Sequence, residues 1–170
     1  MILNVLFRGD YSYAESESER AALISRVMAN LQGEKSGLGY ISAGDDAVFS
    51  FARSRYTNET FDWWPDNYLH VAANPSTGYG GLIWYVSADR AEKVEDEVSK
   101  HTWVSDNPNP PKFDPRVVRD PSFPRFHDPR SAIPIGHVRD AVEEFCRVGT
   151  GDRPACVEWA RSDTHGARLD

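Results

Sequence analysis

The clearest alternation of apolar and turn-forming positions lies mid-chain. Leu69, Val71, Ala72 and Ala73 precede a turn-forming run, Asn74, Pro75, Ser76, Thr77, Gly78, Tyr79, Gly80 and Gly81; Leu82, Ile83, Trp84, Tyr85 and Val86 follow it. Apolar, β-branched and aromatic runs around such turn chemistry predict a β-hairpin with a longer loop. Residues 82–86 are the densest run of strand formers, which places the hairpin at the centre of an open sheet. The glycines permit positive φ or close backbone approach. They lead into a strand rather than a helix, and their spacing is neither G-x-G-x-x-G nor a Walker pattern. A nucleotide site at this loop is therefore excluded.

Upstream, residues 2–7 read as a first strand and residues 10–18 as a polar stretch. Ser16 and Glu19 have capping-box spacing. Leu23, Ile24, Val27, Met28 and Leu31 then recur every three or four residues, which predicts a helix to about Leu31 with Gly33 as its stop. Residues 38–42 suit a short strand, 44–46 a turn and 47–52 another strand. Downstream, the highly charged residues 89–97 suit either helix or solvated loop, and Thr102, Trp103 and Val104 mark a further strand. Residues 131–148 read as a helix, with Ser131 as cap, Pro134 near the first turn and Val138, Ala141, Val142 and Phe145 as its buried stripe. Gly149 and Gly151 end it. Residues 155–159 suit a last strand, and 161–170 a flexible tail.

Between these elements, residues 107–134 hold eight of the chain's eleven prolines. Proline fixes φ and removes a donor, so neither a helix nor an inner strand persists there. Phe113, Val117, Val118, Phe123 and Phe126 make the stretch too apolar for a free linker. It is expected to lie as an arm across the sheet or its edge. The resulting fold class is α+β: one domain over residues 1–160, a mainly antiparallel sheet, two main helices on one face and a proline-rich arm.

The 170 residues carry a formal net charge of −7. That disfavours a nucleic-acid partner, which calls for a basic face, and suits a basic protein partner. No apolar run approaches a membrane span, and residues 1–7 are too short for a signal-peptide core, so a cytoplasmic protein is expected. Cys146 and Cys156 make neither a disulfide scaffold nor a zinc set, and both read as reduced thiols. His70, His101, His127, His137 and His165 form no metal-binding spacing, so neither metal nor cofactor is expected. His127 beside Asp128 is the nearest approach to an acid–base pair. There is no G-x-S-x-G, and Cys146 lies near a helix C-terminus, where a thiolate is disfavoured. Just before the hairpin, Asp62, Trp63, Trp64 and Asp66 set large rings among acids. Core burial is the ordinary role of such rings, but two adjacent tryptophans beside a proline are also what an interface anchor needs.

Several stretches together resemble a known family. They are 78–85 (Gly-Tyr-Gly-Gly-Leu-Ile-Trp-Tyr), Trp103 to Pro108, and Phe126 to Pro134. The pattern continues through Val138 to Phe145, the Gly149-Thr150-Gly151-Asp152-Arg153-Pro154 turn, and Val157-Glu158-Trp159. Over roughly residues 69–159 the chain is similar to immunity-protein family one of bacterial polymorphic toxin systems, often encoded beside deaminase toxins. The resemblance implies an α+β inhibitor that binds and neutralises a cognate toxin domain and performs no chemistry of its own. It implies structural roles for Gly78, Trp84, Pro134 and Trp159. Asp62, Trp63, Trp64, Asp66 and Tyr79 are expected to contact the partner. Two other readings stay open: a small hydrolase using His127 and Asp128 or His101, and a regulatory subunit of a bacterial complex. Oligomeric state is not legible from the sequence.

Overall fold

The first strand, β1 (Ile2–Phe7), turns through Arg8 and Gly9 into β2 (Asp10–Ala14). Both turn residues are left-handed, at φ 53° and 84°, the geometry whose twist suits a two-residue hairpin. The polar stretch expected at residues 10–18 is therefore half strand. Tyr11 and Tyr13 alternate with small or acidic neighbours, a period of two partly hidden by its low apolar content. A computed structural model of the protein describes residues 1–37, 39–59, 65–90 and 96–170.

Helix α1 (Glu17–Asn30) carries the predicted capping box: the Glu19 amide donates to Ser16 Oγ, and the Ser16 amide to the Glu19 carboxylate. It ends where Leu31 turns extended, before Gly33. Gly33 is not a left-handed stop. A Cβ there would meet Asn74 Oδ1 at 2.2 Å, so the glycine admits a close crossing of two segments. A small ribbon of β3 (Lys35–Gly37) and β4 (Tyr40–Ser42) leads to β5 (Asp46–Ala52). The central hairpin is β6 (Asn67–Asn74) and β7 (Tyr79–Val86). Short helix α2 (Asp96–Ser99) precedes β8 (Thr102–Asp106).

The proline-rich arm holds a second ribbon, β9 (Val118–Asp120) with β10 (Arg125–Phe126), then a 3-10 turn at Pro129–Ser131 and the two-residue strand β11 (Ile133–Pro134). Helix α3 (Ile135–Val148) starts four residues later than expected, with no side-chain cap. Proline holds the residue before it extended, so Ile133 pairs with Gly80 and Pro134 with Tyr79 before the helix can begin. Ser131 is buried instead, its carbonyl accepting the Ser105 hydroxyl at 2.6 Å. Gly149, at φ 71°, closes the helix as expected. The last strand, β12 (Glu158–Ser162), lies three residues beyond its expected place. The amides of Ala155 and Cys156 are drawn instead to the Glu144 carboxylate.

The main sheet runs β12-β8-β7-β6-β5-β1-β2, with β11 sharing the β7 edge, and every pairing is antiparallel. Alternation divides its two faces. Leu3, Val5, Phe49, Phe51, Leu69, Val71, Leu82 and Trp84 point to one side, where Leu23, Ile24 and Val27 of α1 and Val138, Ala141, Val142 and Phe145 of α3 complete the main core. The other face carries a row of registered neighbours: Tyr11, Leu6, Val48, His70, Ile83, Val104 and Ala160.

The arm covers half of that second face. Val117, Val118 and Ala132 pack on Ala72, and the Pro115 carbonyl accepts the Asn74 side-chain amide at 2.9 Å. The adjacent glycines of β7 serve opposite faces. A Cβ on Gly80 would lie 2.9 Å from Val138 of α3, and one on Gly81 2.6 Å from the His127 ring of the arm.

The tail expected to be loose from Arg161 is tied down. Arg161 and Ser162 belong to β12, and Arg168 reaches Asp106 at 2.6 Å and Asp170 at 2.8 Å. The Asp163 carboxylate accepts the amides of His165 and Ala167, both at 2.8 Å.

Candidate functional site

The uncovered half of the second face is a cleft of about 420 Å³. Its floor is the sheet: Leu6, Val48, Ser50, His70 and Ile83. The β9–β10 turn forms one wall, through Arg119, Asp120 and Pro121. Thr164 and His165 of the tail form a second, and Tyr56 and Pro65 a third. Period two brings tyrosines here from several strands. Tyr11 lies parallel to Tyr13 with ring centres 6.5 Å apart and meets Tyr56 edge-on at 6.2 Å; Tyr68 stacks on Tyr85 at 5.3 Å. Five of the chain's seven tyrosines thus share one open face.

The polar groups of this face are held in defined states. His70 Nε2 lies 2.7 Å from Asp46 Oδ2. Burial pulls the Asp46 carboxyl upward, but the His70 hydrogen bond and charge outweigh it and leave the group below its ordinary value. Burial raises the Tyr68 and Tyr11 hydroxyls, keeping both as neutral phenols. His127 is sealed beneath the arm against Gly81. Burial, with the charges of His70 and Arg119, pushes it down to about 3, so its imidazole is neutral. Neither of its ring nitrogens has a hydrogen-bond partner among the described residues.

Among the described residues, His127 and Asp128 do not form an acid–base pair. The Asp128 carboxylate turns to its own segment and to Arg130, at 2.8 Å from the Arg130 amide and 3.0 Å from its guanidinium, leaving His127 without an acid. Cys146 is buried in the core and pushed up to about 12. His101 meets Trp103 edge-on. Among the described residues, no three His, Cys, Asp or Glu side chains are grouped to hold a metal. None of the helices described is long and apolar enough to cross a membrane.

The residues assigned structural roles from the resemblance sit at junctions. Gly78, at φ 78°, closes the hairpin loop, and its carbonyl accepts the Ile135 amide at the start of α3. Pro134 pairs with Tyr79. Trp84 is fully buried and donates from its indole to the Gly151 carbonyl at 2.9 Å. Trp159 donates to the Pro154 carbonyl at 2.8 Å. A family model described as Immunity protein Imm1 matches residues 8–161.

The chain belongs to the Imm1 family of immunity proteins.

The match extends the similarity seen over residues 69–159 back through β2 and α1. Membership in Imm1 gives the chain the role of an immunity protein, with a toxin protein as its partner. No curated protein and no solved structure matches it.

Of the expected partner-binding residues of this Imm1 chain, the two described, Asp66 and Tyr79, lie apart. Asp62, Trp63 and Trp64 lie outside the described residues. Asp66 is half-exposed at the start of β6 and pairs with Arg90 at 2.7 Å. Tyr79 lies at the far end of the hairpin, about 25 Å away along the strands. It is half-buried under the arm and edge-on to Phe113 at 5.9 Å. The sequence reading missed the cleft residues Tyr11, Tyr56, Tyr68, Arg119 and His165. Tyr11 had a signal in the alternation of β2. Arg119 and His165 had none, because the arm and the tail bring them to the sheet only in three dimensions.

Proposed function

We propose that the chain neutralises a bacterial toxin domain of a polymorphic toxin system by binding it across the tyrosine-lined cleft. The observation that carries this reading is that Tyr11, Tyr56 and Tyr68 line a concave, partly apolar recess, with Tyr13 and Tyr85 stacked beside them, on an otherwise acidic protein. Tyrosine brings large contact area for little rotamer entropy and an edge that hydrogen-bonds, which is why it dominates protein recognition surfaces. The action is occlusion, with no bond made or broken by the immunity protein. The negative net charge supports a toxin with a basic groove, as a nucleic-acid-targeting deaminase would have, because opposite charge hastens encounter.

The test is titration of the toxin domain encoded beside this gene against Tyr11→Ala and Tyr56→Ala, both half-buried positions at the cleft. Each is expected to weaken binding roughly tenfold or more and to reduce growth rescue. Unchanged affinity in folded variants would sink the reading. Alanine at Trp63, Trp64, Asp66 and Tyr79 in the same titration tests whether the partner also reaches the ends of the hairpin.

A further inference from the structure

The cleft is lopsided in its hydrogen bonding. Its carboxylates are already engaged: Asp46 with His70 at 2.7 Å, and Asp120 with the amides of Ser122 and Phe123 at 3.0 and 3.3 Å. The Asp163 carboxylate takes two backbone amides and lies within reach of the Arg119 charge, without a hydrogen bond to it among the described residues. Arg119 lines the cleft, and its Nε and Nη1 are buried and meet no acceptor among the described residues. A guanidinium keeps its charge and all five N–H donors at any ordinary pH, and buried donors without acceptors cost stability. The Ser162 hydroxyl, on the same sheet face, is likewise buried and has no partner among the described residues.

We infer that the cleft seats an aspartate or glutamate side chain of the toxin on the Arg119 guanidinium, with the stem of that side chain against the tyrosines. This rests on the cleft being the toxin-binding face. A guanidinium meets a carboxylate with two parallel hydrogen bonds, and such a pair inside an aromatic rim has the makings of a binding hot spot. A carboxylate on a protein partner fits better than free phosphate. The Asp46 and Asp120 charges on the same walls repel a dianion more than a monoanion, and the apolar floor suits an alkyl stem. The anchor is therefore opposite in sign to the protein's overall charge: the global field favours a basic toxin, while the pocket selects one acidic side chain on it.

The probe is N-acetylglutamate N-methylamide, with its glutamine counterpart and inorganic phosphate as comparisons. Each is titrated into the full chain, with the Arg119 Nε–H and His165 resonances followed by heteronuclear NMR. The glutamate compound is expected to shift both saturably, and the glutamine compound neither. Arg119→Met is expected to remove the response and to weaken toxin binding roughly tenfold or more. No shift, an equal response to glutamine, or a stronger response to phosphate overturns the inference. Because the three probes are compared on the unaltered chain, that result does not depend on whether a variant folds. If Tyr11→Ala and Tyr56→Ala weaken toxin binding and Arg119→Met does not, the carboxylate anchor fails and the cleft reading stands. If all three leave toxin binding unchanged, the cleft reading itself fails.

Discussion

Gly81 and His127 show how much one missing side chain decides. Only a residue without a Cβ lets the imidazole lie against the sheet, since an added carbon would stand 2.6 Å from the ring. Gly81→Ala is expected to cost about 1–3 kcal/mol in urea unfolding, and less when His127→Ala has already made room. The same ring sets a pH dependence. Its folded pKa of about 3 lies below the ordinary 6.5, so the unfolded chain binds the extra proton as pH falls between those values. The stability from this group is complete above 6.5 and is lost progressively below it, by about 2 kcal/mol at pH 5.0 relative to pH 7.5. His127→Leu is expected to flatten that part of the profile, measured as unfolding midpoints at the two pH values. In the lower part of the same window, as pH falls through 4.5 and 3.8, carboxylates held low by their partners, such as Glu144 and Asp163, add their own losses.

Single elements of this protein have two jobs. The C-terminal segment looks like a tail in sequence, yet it builds one wall of the cleft through Thr164 and His165, while Gly166 packs against Ile83 and Arg119. A chain ending at Ser162 keeps the helix-side core and loses that wall. It is expected to bind the toxin domain roughly tenfold or more weakly, about 1.4 kcal/mol or beyond, while retaining a cooperative unfolding transition by circular dichroism. The elements differ in how legible they were. The central hairpin, α1 with its capping box and the Gly149 stop follow from local chemistry, because dense periodic burial and caps act within a few residues. Strand β2 was obscured by its tyrosines and polar neighbours, and the start of α3 by a bridge between Ile133 and Gly80, residues far apart in the chain. The cleft was the least legible feature. Its floor comes from the pairing of β1, β5, β6 and β7, and Arg119 belongs to no motif.

For the whole molecule, the net charge of −7 acts over distances that the contacts do not. Association with a basic toxin is expected to slow as salt rises from about 0.05 to 0.5 M, because the screening length shrinks severalfold, whereas dissociation changes less. Stopped-flow mixing at the two salt concentrations checks this, and an association rate indifferent to salt removes charge from the account. The division of the sheet has a further consequence. Phe49 and Val48, Leu69 and His70, and Leu82 and Ile83 are chain neighbours that answer to different demands: the first of each pair to the helices, the second to the open face. On the proposed binding face, substitutions at alternate positions would therefore redraw the contact surface while the helix-side packing stays as it is. Such a scaffold can acquire immunity to a new toxin by changing every second residue of strands it already has.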